Sequence, residues 1–162
     1  MRPSIYVETS IISYLAAQPS RDLITAARQQ VTHEWWARRR TSFELFVSEL
    51  VLAEASAGDP DAARRRAGIL QGLPVIDVTA LAETLAARIL ESARLPARAR
   101  ADALHIALAA SQGMDYLMTW NATHIANAQI RSKVERACRV AGYEPPILCT
   151  PDELMAGEDH DA

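Results

Sequence analysis

The sequence has no apolar run of the roughly 18 residues that a membrane-spanning helix needs, although 49% of its 162 residues are hydrophobic. We therefore expect no membrane span and one substantial core, within a single domain. The first ten residues, MRPSIYVETS, contain no apolar signal core and instead predict an early strand. No GxGxxG or Walker-type glycine loop is present, which argues against dinucleotide and P-loop nucleotide binding.

Cysteine and positive charge are also scarce. Cys138 and Cys149 are too few for a disulfide framework and favour two buried free thiols in a cytoplasmic protein. With His105 and His124 they lack the paired ligand spacing of a zinc site. The formal net charge is -3, so the field of the whole molecule does not attract nucleic acid. A nucleic-acid substrate would need a local basic patch or a bound metal.

Short apolar segments alternate with helical patterns along the whole chain. The predicted strands are residues 5–7, 43–47, 75–78, 116–119 and 147–149. This alternation predicts a three-layer α/β/α sandwich around a central, mostly parallel sheet of about five strands. We expect residues 1–156 to form the single domain, and the acidic residues 157–162 to form a disordered tail.

A long helix is predicted after residues 19–22. Apolar residues recur at every fourth position and predict its buried face: Leu23, Ala27, Val31 and Trp35. Trp36 lies about 100° further around the helix. We therefore expect Trp36 to be partly exposed and to suit an interface, where tryptophan is enriched. The basic run 38–40 ends this helix, either as a solvated helix end or as a contact for substrate phosphate.

Residues 101–127, ADALHIALAASQGMDYLMTWNATHIAN, are the most informative stretch. Residues 101–112 are apolar around most of a helix, so this helix should be buried on more than one side. Asp102 and His105 lie one turn apart on one face of it. Gly113 ends the helix, and a strand follows that leads to Asn121. Because ligands of parallel α/β sheets bind beyond the carboxyl ends of the strands, this stretch predicts a site.

Two further acids belong to the same predicted edge. Glu8 follows the first strand, and Glu54 lies about two turns into the helix after the second. Each of the four polar residues also has a purely structural interpretation: a solvated strand end for Glu8, a helix-surface residue for Glu54, a helix-start acid for Asp102 and a turn residue for Asn121. His105 could orient Asp102, contact phosphate, or be a hydrogen-bonded core histidine.

Together these residues could bind a divalent cation. Crowded carboxylates repel each other unless a cation compensates them. Oxygen ligands suit Mg²⁺ or Mn²⁺, and these metals support phosphodiester hydrolysis by positioning water and stabilising the leaving oxygen.

Four segments resemble a known family: IYVETSIISYL, VSELVLAEASAG, ADALHIALA and DYLMTWNATHIAN. They occur in the order found in PIN domains, and more narrowly in VapC-type toxins of bacterial toxin–antitoxin pairs, and the resemblance covers residues 5–154. It implies a metal-dependent endoribonuclease that an antitoxin protein inhibits. It also implies a catalytic set, of which the first three residues bind the metal: Glu8, Glu54, Asp102 and Asn121. Neighbouring polar residues are assigned auxiliary roles: Thr9, Ser10, His105 and Thr119.

The sequence departs from the family pattern at two of these positions. The first acid is usually Asp, and Glu8 extends its carboxylate by one methylene, about 1.5 Å. The fourth position is often Asp, and Asn121 offers an oxygen but no charge. The alternative is therefore a catalytically weak or inactive PIN-like module that binds RNA or a protein. The retained acids favour the enzyme over this alternative. We expect it to use Mg²⁺ or Mn²⁺, to cleave RNA, to bind an antitoxin protein and to form a homodimer. A Mg²⁺-dependent phosphatase would need a second acid two residues after the first, and Ser10 occupies that position.

Overall fold

A computed structural model describes residues 1–156 and shows five parallel strands in one sheet. The strands are β1 (Ser4–Val7), β2 (Glu44–Ser48), β3 (Val75–Ile76), β4 (Tyr116–Met118) and β5 (Ile147–Cys149). Their order across the sheet is β3-β2-β1-β4-β5, so β1 lies in the centre. Every strand pair is parallel, which confirms the predicted α/β/α class. The predicted tail, residues 157–162, lies outside the described part.

Helices connect these strands. Their bounds are α1 (Thr9–Ala16), α2 (Leu23–Arg38), α3 (Glu49–Ala55), α4 (Pro60–Leu70), α5 (Ala80–Ser92), α6 (Arg100–Ser111) and α7 (Ala128–Val140). Ser48 and Thr79 cap α3 and α5 by accepting a hydrogen bond from the third helical N–H. Within residues 1–156, no helix is both long and apolar enough to cross a membrane.

The core surrounds β1 and α6. The side chains of Ile5, Tyr6 and Val7 are fully buried, as expected for a strand covered on both faces. Helix α6 is buried around most of its circumference, which confirms the prediction from its apolar pattern. Its many alanines let α5 and β4 approach it closely. The helix therefore holds Asp102 and His105 in fixed places relative to the sheet.

The predicted buried face of α2 is confirmed at Trp35 and wrong at Leu23 and Ala27, which are exposed. Leu23 is 85% exposed, whereas the buried side chains of this helix are Gln29, Thr32 and Trp35. A repeat of four residues drifts by about 40° per step, so Leu23 lies about 120° from Trp35 around the helix. The buried arc extends from Trp35 in the other direction. This arc can include the polar Gln29 because its side chain is satisfied by hydrogen bonds. The Gln29 side-chain oxygen accepts the Ser20 N–H, and its amide N–H donates to the Gln18 carbonyl.

The C-terminal end of α2 lies far from the carboxyl edge of the sheet. Trp36 is half-buried, as predicted, and the Arg40 guanidinium lies 5.2 Å from the centre of its ring. Arg39 lies over the ring of Phe43. These residues precede β2, so they are at the amino edge of the sheet. This position does not support a contact with phosphate bound at the opposite edge.

Candidate functional site

Glu8 lies at the carboxyl end of β1 and is 6% exposed. It is the N-cap of α1, and its carboxylate accepts hydrogen bonds from the Ser10 N–H at 3.1 Å and the Ser10 hydroxyl at 2.5 Å. Thr119, which directly follows β4, donates its hydroxyl to Glu8 Oε1. The pairing of β1 with β4 thus brings Thr119 against the first acid, and the first turn of α1 brings Ser10; both are predicted auxiliary residues.

Glu54 lies in the last turn of α3, and its side chain is 35% exposed. Its Oε1 accepts a hydrogen bond from the Thr9 hydroxyl at 2.7 Å and lies 2.6 Å from His105 Nε2. Burial raises the pKa of Glu54, but the close contact with His105, together with the Thr9 hydroxyl, lowers it more. The net pKa lies below the ordinary value of 4.5, so the group is a carboxylate at neutral pH.

His105 is fully buried and uses both ring nitrogens. Its Nδ1 lies 2.6 Å from the Tyr6 hydroxyl, and its Nε2 contacts Glu54 and lies 4.0 Å from Glu8 Oε2. One ligand atom from each of Glu8, Glu54 and His105 lies within 4.8 Å of the other two. The predicted convergence of Glu8 and Glu54 is therefore present. His105 is hydrogen-bonded within the core, and the carboxylate that it contacts is Glu54 rather than Asp102.

Asp102 lies in the first turn of α6 and is not part of that three-residue group. Its Oδ2 is 2.8 Å from His124 Nδ1, and both side chains are largely buried, with exposures of 21% and 15%. His124 had no predicted role at this site. The only sequence signal for it was its place in the polar loop after β4, three residues beyond Asn121.

Asn121 organises that loop. Its Oδ1 accepts hydrogen bonds from the backbone N–H groups of Thr123 and His124, at 3.1 and 3.0 Å. Its own N–H donates to the Thr119 hydroxyl. The contacts are those of an Asx-type turn that places His124 beside Asp102. A role for Asn121 as a metal ligand stays a prediction.

The donor chemistry of the cluster fits a divalent cation. Glu8 and Glu54 come from different elements, and their acceptor oxygens lie near one point at the carboxyl edge of the sheet. Carboxylate oxygens are the ligands that Mg²⁺ and Mn²⁺ prefer. Hydroxyl and imidazole groups hydrogen-bond to the carboxylates, which reduces the repulsion between the two acids and leaves their other lone pairs free for a cation.

No curated protein matches the chain significantly in sequence. Among solved structures, VapC20 of Mycobacterium tuberculosis, a sarcin–ricin loop cleaving toxin, is 21% identical with a TM-score of 0.56 over 86% of this chain and 95% of that one. VapBC2 of Rickettsia felis, solved with a promoter DNA fragment, is 18% identical with a TM-score of 0.54, covering 91% of this chain and 98% of that one. FitAB bound to an IR36 DNA fragment is 14% identical with a TM-score of 0.57, covering 96% and 99%.

These structures share the fold of the chain. The sequence model of the PIN domain family matches residues 5–128, which run from the second residue of β1 past β4 and include Glu8, Glu54 and Asp102. The resemblance seen in the four sequence segments is thereby confirmed, and the chain belongs to the PIN domain family.

Proposed function

We propose that the protein is a Mg²⁺- or Mn²⁺-dependent endoribonuclease and the toxin of a toxin–antitoxin pair. The observation that carries this proposal is the meeting of Glu8 and Glu54 at the carboxyl edge of β1, where their oxygens offer a site for a divalent cation. Membership of the PIN family and the fold shared with a sarcin–ricin loop cleaving toxin support RNA as the substrate. Two acids that meet at one point favour an enzyme over an inactive binding module.

Each acid has a separate support in this arrangement. Ser10 and Thr119 hold Glu8, and His124 holds Asp102 in the first turn of α6. We assign Glu8, Glu54 and Asp102 as the metal-binding residues. A bound cation would stabilise the negative charge that develops on the phosphate and on the leaving oxygen during hydrolysis. These neighbouring side chains fix the acids before substrate binds, which lowers the reorganisation needed during the reaction.

The proposed role includes partners and a location. An RNA-cleaving toxin needs an inhibitor while the cell grows, so we propose a cognate antitoxin protein as its partner. The half-buried Trp36 offers an aromatic contact for self-association, and we propose a homodimer. We also propose that residues 1–156 act as a single nuclease domain in the cytoplasm, where the RNA is.

The test is cleavage of a fluorescently labelled RNA pool by the purified protein in Mn²⁺, in Mg²⁺ and in EDTA. We expect cleavage only with the metals. The Asp102→Asn variant should lose this activity while its fold survives, because the substitution keeps the shape and removes one metal-binding charge. Asp61→Asn is the matched control, since Asp61 is 72% exposed and pairs only with Arg64 among the described residues.

Cleavage in EDTA, or full activity of Asp102→Asn, would contradict the proposed site. Absence of both cleavage and Mn²⁺ binding in calorimetry would favour the inactive binding module instead.

A further inference from the structure

We propose that Tyr6 and His105 are positioning residues that hold Glu54 through a directed chain of hydrogen bonds. The chain begins at Ser48, passes through the Tyr6 hydroxyl and the His105 imidazole, and ends at Glu54 Oε1. All three links join side chains from different elements: β2 with β1, β1 with α6, and α6 with α3. This inference rests on the proposed function, since it concerns the carboxylate that would bind the metal.

The direction of the chain follows from counting protons. Ser48 Oγ accepts the Val51 N–H at 3.2 Å, so its hydroxyl proton can be donated to Tyr6 at 2.7 Å. The Tyr6 proton then points to His105 Nδ1, and the remaining imidazole proton lies on Nε2 and points to Glu54. Every donor and acceptor in the chain is used once in this scheme.

The opposite direction leaves a buried group without a partner. If Nδ1 carried a proton as well, Tyr6 would accept it and donate its own proton to Ser48. The Ser48 hydroxyl proton would then have no acceptor among the described residues, and Ser48 is fully buried. Buried donors without acceptors are costly, so this arrangement is disfavoured. Burial also raises the pKa of Tyr6 far above its ordinary value of 10.0, which keeps its proton in place.

A consequence concerns which atoms can bind a metal. His105 lies within reach of both acids, and geometry alone would make it a third ligand. A nitrogen that carries a proton has no lone pair to offer, and Nε2 uses that proton to hold Glu54. His105 therefore lies behind the carboxylate and orients it, an arrangement in which outer partners tune the affinity of a metal site.

The same network also ties the two ends of α3 together. Ser48 caps the first turn of this helix, and Glu54 lies in its last turn. Tyr6 and His105 bridge these ends through the core. The carboxylate is thus fixed relative to β1 by its own helix and by the hydrogen-bond chain.

The direct test is the tautomer of His105 in the metal-free protein. In long-range ¹H–¹⁵N spectra of histidine-labelled protein, we expect a protonated Nε2 and an unprotonated Nδ1, and the addition of Mg²⁺ should leave this pattern unchanged. Tyr6→Phe removes the donor to Nδ1 and should produce a mixture of tautomers. The matched control is Tyr116→Phe on the neighbouring strand β4, because the Tyr116 hydroxyl has no hydrogen bond within the described residues.

The second readout is Mn²⁺ binding by calorimetry. Loss of an outer partner of this kind lowers metal affinity about tenfold, so we expect that loss for Tyr6→Phe and for His105→Ala. His105→Gln keeps an N–H that can reach Glu54 and should recover most of the affinity, whereas a merely structural role would give no such recovery. Tyr116→Phe should bind Mn²⁺ like the wild type.

The hydrogen-bond chain from Ser48 to Glu54, the relay, is thus tested separately from the proposed function. A proton on Nδ1 rather than Nε2, or a switch to metal-bound Nε2 when Mg²⁺ is added, would overturn the relay even in an active nuclease. Equal Mn²⁺ affinity of Tyr6→Phe and Tyr116→Phe would also overturn it. The expected tautomer and affinities in a protein that cleaves no RNA would uphold the relay and refute the proposed activity.

Discussion

Thr119 offers a measurable test of how the site is held together. Its side chain is fully buried, and its hydroxyl donates to Glu8 Oε1. The hydroxyl oxygen of Thr119 also accepts the Asn121 N–H at 2.9 Å. Thr119→Val replaces the hydroxyl by a methyl group of similar size, so both hydrogen bonds are lost while the packing volume is kept. Thr119→Ser is the matched control because it keeps the hydroxyl and loses only the methyl group.

The expected magnitude follows from the two bonds. A hydrogen bond to a charged group contributes about 1.5–3 kcal/mol, and a buried N–H without an acceptor costs about 1–3 kcal/mol. Glu8 keeps the two donors of Ser10, so we take the lower half of each range. Thr119→Val should then lower the free energy of unfolding by about 3 kcal/mol. Thr119→Ser should lower it by about 1 kcal/mol, the cost of one buried methyl group.

Urea unfolding in EDTA, followed by tryptophan fluorescence, measures both variants without a contribution from metal. Both midpoints should fall while the slope of free energy against urea stays the same, since the surface exposed on unfolding hardly changes. Equal stability of Thr119→Val and Thr119→Ser would show that the hydroxyl bonds contribute nothing, and would refute the idea that Thr119 anchors Glu8.

Two further predictions concern the loop and the thiols. Asn121→Asp should change Mn²⁺ affinity less than about threefold, because an Asp oxygen would stay in the turn with Thr123 and His124; a much larger gain in calorimetry would place this side chain at the metal. Burial raises the pKa of Cys138 to about 11 and that of Cys149 to about 12. Both thiols should resist a disulfide reagent at pH 8 in the native protein and react in denaturant, and rapid native reaction would contradict their burial. Because thiols ionise more readily in the unfolded chain, stability should fall as pH rises above about 9.

Much of the fold was predictable because it depends on patterns of apolar and turn-forming residues that can be seen in a single sequence. The apolar segments that became β1 and β5 have lengths and flanking residues that a single sequence displays. The convergence of Glu8 and Glu54 followed from one rule, that strand ends of a parallel sheet meet at one edge. No knowledge of side-chain geometry was needed for that step.

The missed features depend on geometry that the sequence does not display. Tyr6 looks like any apolar strand residue, and only the packed structure shows its hydroxyl between Ser48 and His105. His124 reaches Asp102 because the turn at Asn121 directs it there, and turn geometry is weakly encoded. The face of α2 was mispredicted because polar residues with internal hydrogen-bond partners can replace apolar ones in a core.

The near-complete burial of α6 limits how this protein can change during evolution. From Ala103 to Ala110 almost every side chain is enclosed, so a larger residue would displace the whole helix and carry Asp102 with it. The loop of residues 121–127 is built mainly from turns, and its Ala122 and Thr123 are exposed. New substrate preferences can therefore arise by substitution in this loop, at little cost in folding, while the acids keep their positions.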